Sequence, residues 1–186
     1  MTINMLSDFL GHPFVISLFS ILCGSYFINK INYIKTTRDI KRNEALKLVN
    51  EISEKINSSL SWLYIQIRSE NSIITENLKL VLSQAHSSRL KFRVSSKFYF
   101  GSVYTIKEYE EIICTISSIK NMIEDPHTTQ LDIKAKLLDI SKRWNIYKKI
   151  DNNSSNKELF TIAADIVWDK SDSFLTSILF IANNIK

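Results

Sequence analysis

The sequence predicts an all-α fold, because turn-forming residues are scarce and apolar residues recur at helical spacing. The chain of 186 residues contains only three glycines and two prolines, whereas a β-rich protein of this length needs many more turn formers. A long uncharged stretch near the N-terminus adds a membrane span to this picture. The predicted architecture is a single N-terminal transmembrane helix followed by a cytoplasmic helical bundle.

The predicted transmembrane helix rests on twenty consecutive residues, Phe9 to Ile28, that carry no formal charge. As a helix this stretch is about 30 Å long, which matches the hydrocarbon core of a bilayer. A cleavable signal peptide is disfavoured, because no basic residue precedes the stretch and no small-residue cleavage site follows it. We therefore expect an external tail over residues 1–8, a transmembrane helix over 9–29 and a cytoplasmic helical domain over 30–186.

Basic residues on one side of this stretch predict its orientation. They follow it closely, with few acidic residues between them: Lys30, Lys35, Arg38, Lys41 and Arg42. Lys and Arg next to a span stay on the cytoplasmic side, so we expect the N-terminus outside and the C-terminus in the cytoplasm. Cys23 and Cys114 agree with this placement, because neither is expected to meet an oxidising partner.

Small and polar residues share one narrow face of the predicted span. At about 100° per residue, this face contains Pro13, Ser17, Ser20 and Gly24. Ser20 and Gly24 have the small-xxx-small spacing that lets helix backbones approach closely in lipid. The face predicts self-association, and its hydroxyl groups could line a polar pathway in an oligomer of three or more subunits. The alternative is that these serines only bond back to their own helix.

Apolar periodicity and capping residues predict the helices of the cytoplasmic domain. An apolar stripe with steps of three and four extends the first helix well beyond the span. It consists of Val49, Ile52, Ile56, Leu60, Leu63 and Ile67. A second helix is predicted to follow this one. Three further helices are predicted to begin at Thr105, Thr129 and Ser155, and Asp125-Pro126 is predicted to end the first of these. The helix after Thr129 is predicted to carry the apolar residues Leu131, Ala135, Leu138, Trp144 and Tyr147.

One basic, aromatic segment departs from helical spacing. No acidic residue lies between Glu76 and Glu108, and basic side chains alternate with apolar ones over residues 89–94. This period of two predicts a short strand or extended segment, which could form a β-hairpin near residues 89–100, although Ser95-Ser96 is a poor hairpin turn. Cations with aromatic rings between them suit nucleic acid, and the same composition suits anionic lipid or a solvated edge of the bundle.

Seven side chains of this segment are candidates for binding an anionic ligand. They are Arg89, Lys91, Phe92, Arg93, Lys97, Tyr99 and Phe100. Elsewhere the residues that could support catalysis are scattered, with His12, His86 and His127 in three different predicted elements. We therefore expect no enzyme activity, no metal and no cofactor, and no small-molecule substrate is evident.

The layout resembles the small membrane effectors of bacterial antiphage systems. The resemblance rests on a short tail, a span with His12-Pro13, Phe19 and Gly24, a basic flank and a helical body. Among these effectors the chain is similar to the channel-forming subunit of the Hailong type. That similarity implies an inner-membrane homo-oligomer with a gated ion pathway, a nucleotidyltransferase partner and a DNA oligomer as regulator. The alternative is a membrane-tethered helical adaptor or scaffold that binds a partner protein and has no transport activity.

Overall fold

The computed structural model describes residues 13–69, 72–100, 104–151 and 153–185. Its helices are α1 (Pro13–Arg68), α2 (Ser72–Ser87), α3 (Arg89–Phe100), α4 (Tyr104–Glu124), α5 (Gln130–Trp144) and α6 (Asn156–Asn183). These ranges contain no β-strand, so the predicted all-α class is confirmed for them. The predicted external tail and the predicted span up to residue 12 lie outside the described ranges.

The chain divides into two compact units, Met1–Asn43 together with Lys186, and Glu44–Ile185. In the described part of the first unit, α1 exposes its large apolar side chains to solvent. All buried hydrophobic residues of the described ranges belong to the second unit. None of the helices in the described ranges has both the length and the apolar character to cross a membrane.

The core of the second unit is built mainly from isoleucine and leucine. The predicted stripe on α1 is buried throughout: Val49, Ile52, Ile56, Leu60, Leu63 and Ile67. Helix α6 packs against α4 and α5, and α3 packs against α4 and α6. Burying one such side chain contributes about 1.5–3 kcal/mol, so the predicted stripe is a main source of the stability of this unit.

Capping boxes begin α5 and α6 at the predicted residues. The backbone N–H of Thr129 donates to the Asp132 carboxylate at 2.9 Å, and the Asp132 N–H donates to the Thr129 hydroxyl at 3.3 Å. Ser155 and Glu158 repeat the arrangement, with distances of 2.7 and 3.3 Å. Each box satisfies two backbone donors that a helix start leaves free. The predicted starts at Thr129 and Ser155 are therefore confirmed.

Helix α4 ends as predicted but begins earlier. It stops at Glu124, immediately before Asp125-Pro126, because proline disfavours a helical residue before it. The prediction that Thr105 caps this helix is wrong, since α4 already includes Tyr104 and the Thr105 side chain is buried. A threonine followed three residues later by glutamate matches a capping box in sequence without forming one here.

Helix α5 packs through a different face from the one that the sequence indicated. Its buried residues are Ile133, Leu137, Ile140 and Ser141, and these were absent from the predicted apolar set. Leu131 and Leu138, which belonged to that set, are exposed to solvent. Since α5 has apolar residues on both sides, their spacing predicted the helix correctly but not the side that contacts α6.

The predicted β-hairpin near residues 89–100 is wrong, because Arg89–Phe100 form helix α3. The Phe92 N–H donates to the Ser88 carbonyl at 3.0 Å, which is a helical bond to the residue four positions earlier. Leu90 and Val94 are four residues apart, so an alternating pattern over six residues is also compatible with a helix. Phe92 is buried whereas Leu90 and Val94 are exposed, which fits a helix and not a strand that has all three on one face.

Candidate functional site

The first unit presents an apolar helix surface that nothing in the described ranges covers. Its large apolar side chains are between 58% and 72% exposed. They are Ile21 (65%), Leu22, Tyr26, Phe27, Ile28, Ile31, Tyr33, Ile34 and Ile40. Scattered single apolar residues are normal on a protein surface, whereas a continuous set of this kind marks contact with a membrane or another protein. This set is called the apolar helix surface below.

The predicted packing face belongs to the same stretch of α1. Ser17 and Ser20 are exposed, and Gly24 is partly exposed. A Cβ atom built on Gly24 would meet nothing within 4 Å, so the described chain itself does not require a glycine there. Pro13 is the first residue of α1. The face is therefore open to a second helix.

One fully buried aromatic side chain packs helix α3 into the core of the second unit. Phe92 is 1% exposed, and its ring packs edge-on against Tyr109 with 5.1 Å between the centroids. The Tyr109 hydroxyl donates to the Ala85 carbonyl at 2.8 Å. Burial raises the pKa of Tyr109, so this hydroxyl stays protonated as a donor. Phe92 is thus a core residue, and its ring is closed to a stacking ligand in this arrangement.

Two of the candidate cations are already engaged by carboxylates. The Arg89 guanidinium forms an ion pair with Glu110 on α4, and Lys91 Nζ lies 2.5 Å from Glu51 Oε2 on α1. Exposed pairs of this kind contribute little free energy, about 0.2–1 kcal/mol each. They nevertheless occupy the charge that an anionic ligand would need.

Arg93 and Lys97 are placed differently from these two cations. Both side chains are exposed, and neither forms an ion pair with any residue of the described ranges. They are four residues apart and therefore share one side of α3. Of the four candidate cations, these two offer their charge to an external group.

The aromatic residues of α3 also separate into inner and outer positions. Tyr99 and Phe100 are partly buried and pack against the core. Phe98, which was not among the predicted site residues, is exposed and packs edge-on against Tyr99 at 4.9 Å between centroids. The sequence signal that could have identified it is the spacing of four residues from Leu90 through Val94 to Phe98.

The outer face of α3 consists of this apolar stripe and its flanking cations. Leu90, Val94 and Phe98 are 72%, 66% and 69% exposed, and Arg93 and Lys97 lie beside them on the helix surface. We use "outer face" for these five residues. Large apolar side chains thus point away from the core along the whole helix.

The inner side of α3 includes a buried polar group. The Ser96 hydroxyl is fully buried and has no hydrogen-bond partner among the described residues. A buried hydroxyl without a partner costs free energy, whereas three large apolar side chains on the same helix remain in water. Helix α3 therefore combines a buried hydroxyl with exposed apolar side chains.

Another cleft brings together residues that catalysis could use, but their bonding does not suit a nucleophile. His86 Nε2 lies 3.2 Å from Ser117 Oγ, with Cys114 and Asp125 in the same cleft. The Ser117 hydroxyl donates to the Ile113 carbonyl at 3.0 Å, so its proton is directed to the backbone and not to the imidazole. A serine nucleophile needs the opposite arrangement, in which the base accepts that proton.

Two surfaces of the described residues therefore remain as candidate sites, the apolar helix surface of the first unit and the outer face of α3. Each combines exposed apolar side chains with nearby cations. One of the two surfaces belongs to each unit. No protein-family model, curated protein or solved structure matches this chain.

Proposed function

We propose that this chain is a single-pass membrane protein of the bacterial inner membrane, with its N-terminus outside and its second unit in the cytoplasm. The observation that carries the proposal is the part of the apolar helix surface inside the expected span, where side chains are 59% to 65% exposed: Ile21, Leu22, Tyr26, Phe27 and Ile28. Moving one such side chain from water into an apolar phase contributes about 1.5–3 kcal/mol. The uncharged stretch begins at Phe9, four residues before the described helix.

In this proposal the chain assembles into a homo-oligomer of three or more subunits. One helix cannot enclose a pathway, so an ion route needs several copies. Open space around Gly24 supports close approach of a neighbouring helix. Ser17 and Ser20 would then contribute hydroxyl groups at the helix contacts and along the route. A gated ion pathway that perturbs the membrane is the activity that the resemblance to antiphage effectors adds.

An anionic ligand is the proposed trigger, and it would bind the basic side of α3. Arg93 and Lys97 have no carboxylate partner among the described residues, so they can receive a phosphate without breaking an ion pair. Arg89 and Lys91 would first have to leave Glu110 and Glu51. The resemblance names a DNA oligomer made by a nucleotidyltransferase as this ligand. The contact that this face supports is with phosphates, since Phe92 is buried.

Ion flux from liposomes containing the purified chain tests the proposal. Wild-type protein is expected to release potassium when short DNA oligomers are added, and Ser20→Leu and Gly24→Leu are expected to abolish this release while the protein still resists alkaline extraction. Ser25→Leu is the matched control, because Ser25 is also exposed but lies roughly 100° away from Gly24 around the helix. It is expected to conduct.

Three results would count against the proposal. Full conduction by both packing-face variants would remove the role of that face. A monomer in mild detergent would leave no way to enclose a pathway. Membrane-inserted wild-type protein without any flux, both with and without DNA oligomers, would favour the alternative, a tethered adaptor or scaffold that binds a partner protein.

A further inference from the structure

The outer face of α3 has a composition that neither the fold nor an ion pathway explains. Leu90, Val94 and Phe98 form a stripe with a spacing of four residues, and all three are more than half exposed. Arg93 and Lys97 lie along one edge of this stripe and are exposed. A helix face with an apolar stripe bordered by cations is typical of helices that lie in a membrane interface.

We propose that the outer face of α3 binds the surface of an anionic lipid bilayer. The helix would lie parallel to the surface, with Leu90, Val94 and Phe98 at the boundary between headgroups and acyl chains. Arg93 and Lys97 would contact lipid phosphates. The helix core contacts stay in place, because Phe92 and Tyr99 occupy the opposite side.

Charge complementarity supports a lipid surface as the partner. No acidic residue occurs between Glu76 and Glu108, so α3 contributes nothing that an anionic surface would repel. Each cation near such a surface contributes attraction that changes binding about fivefold. A second copy of this chain is a poorer partner, because its net charge is +5.

The apolar stripe favours lipid over an oligonucleotide. Bases bind proteins by stacking on aromatic rings, and Phe98 is the only aromatic residue of α3 that is more than half exposed. Leu90 and Val94 have no ring on which a base could stack. Aliphatic side chains gain free energy from acyl chains in proportion to the apolar area that leaves water, so all three stripe residues contribute to lipid contact.

This inference rests on the membrane anchor of the proposed function, and it assigns Arg93 and Lys97 to lipid phosphates in place of the oligonucleotide proposed there. Anchoring raises the effective concentration of the surface and lets a weak contact form. The two proposals fail differently. Loss of membrane insertion contradicts the proposed function, whereas an inserted chain whose α3 stays in water contradicts only this inference.

The test places an environment-sensitive fluorophore on α3 of the full chain in nanodiscs. The background carries Cys23→Ser and Cys114→Ser, since both native cysteines are exposed, and the label is attached at Val94→Cys. We expect a blue shift and quenching by headgroup spin labels in nanodiscs that contain phosphatidylglycerol. In nanodiscs of phosphatidylcholine alone, both signals are expected to be much smaller. A label at Leu131→Cys on α5 is the control, because Leu131 is also an exposed leucine.

Charge variants complete the test. Lys97→Glu is expected to weaken the lipid signal at least about fivefold, and Lys142→Glu, which makes the same charge change at an exposed site on α5, is expected to leave it unchanged. An aqueous label in both lipid compositions would overturn the inference. A second result would also overturn it: a short DNA oligomer shifts the fluorescence of the label in the absence of lipid, and phosphatidylglycerol has no effect. The face would then be a nucleic-acid site.

Discussion

Phe92 and Phe98 have the same side chain and belong to the same helix, but they meet opposite environments. We expect Phe92→Ala to lower the free energy of unfolding by about 3–5 kcal/mol, because it removes a ring that packs on Tyr109 and leaves a cavity. Phe98→Ala is expected to change it by less than about 0.5 kcal/mol, since Phe98 is exposed. Chemical denaturation in mild detergent measures both values. Equal losses from the two variants would contradict the division of α3 into a buried and an exposed side.

Asp132 makes the start of α5 sensitive to acid. Hydrogen bonds from the Thr129 side chain and then from its backbone lower the pKa of the Asp132 carboxyl. A lowered pKa means that the carboxylate stabilises the fold above its unfolded pKa of about 3.9, and that this contribution disappears as pH falls through the folded pKa. Asp132→Asn is therefore expected to melt at a lower temperature than wild type near neutral pH, with a difference that shrinks in strong acid.

Thermal melts followed by circular dichroism over this pH range check the prediction for Asp132. Asp172→Asn serves as the control, because Asp172 is exposed and has no hydrogen bond or ion pair among the described residues. Its melting temperature is expected to follow that of the wild type at every pH. A deficit of Asp132→Asn that stays constant into strong acid would show that the carboxylate charge is not its source.

At the scale of whole helices, one largely buried ion pair joins α4 to α6. Lys170 Nζ lies 2.5 Å from Glu108 Oε1, and the two side chains are 17% and 14% exposed. Lys170→Met is expected to cost about 3 kcal/mol, because it leaves a carboxylate without its cation in a poorly hydrated place. The double variant Glu108→Leu, Lys170→Met is expected to recover most of this loss, since both desolvation penalties disappear together.

Denaturation of the single and double variants measures this recovery. Lys79→Met is the matched control, because Lys79 pairs with Glu76 at 2.9 Å on an exposed helix surface. Its effect on unfolding is expected to be much smaller than that of Lys170→Met. Equal destabilisation by the single and the double variant would show that packing of the lysine stem, and not the charge pair, joins these two helices.

For the whole molecule, the distribution of burial predicts which part folds by itself. Every buried hydrophobic residue of the described ranges lies between Ala45 and Ala182, within the unit Glu44–Ile185. A fragment that begins at residue 44 is therefore expected to unfold cooperatively with helical circular dichroism, because removal of the first unit takes away no core residue. Gradual loss of ellipticity without a transition would contradict an autonomous core.

Local patterns account for much of this fold. The buried stripe from Val49 to Ile67 and the helix starts at Thr129 and Ser155 follow from spacing and capping chemistry within a few residues. The conformation of α3 did not follow, because its basic and apolar residues alternate over a segment of only six residues. The face that α5 buries also escaped prediction, since its apolar residues lie on both sides.

Which residues of the candidate site are available to a ligand depends on residues far away in the sequence, even more than the fold does. Arg89 and Lys91 looked as free as Arg93 in the sequence, but their carboxylate partners Glu110 and Glu51 are 21 and 40 residues away. The sequence does not distinguish Phe92 from Phe98, whereas in the folded chain the Phe92 ring packs against Tyr109. Long-range pairs of this kind leave no periodic signal, so the division of α3 into an inner and an outer side could be seen only in the folded chain.

The sequence by itself determined the helical class, two capped helix starts and the uncharged stretch from Phe9 to Ile28. These properties depend on hydrogen bonds and transfer free energies of neighbouring residues. Tertiary structure alone decided which side chains of α3 and α5 leave water and which cations keep their charge available. The physical reason is that burial and ion pairing belong to residues that only folding brings together.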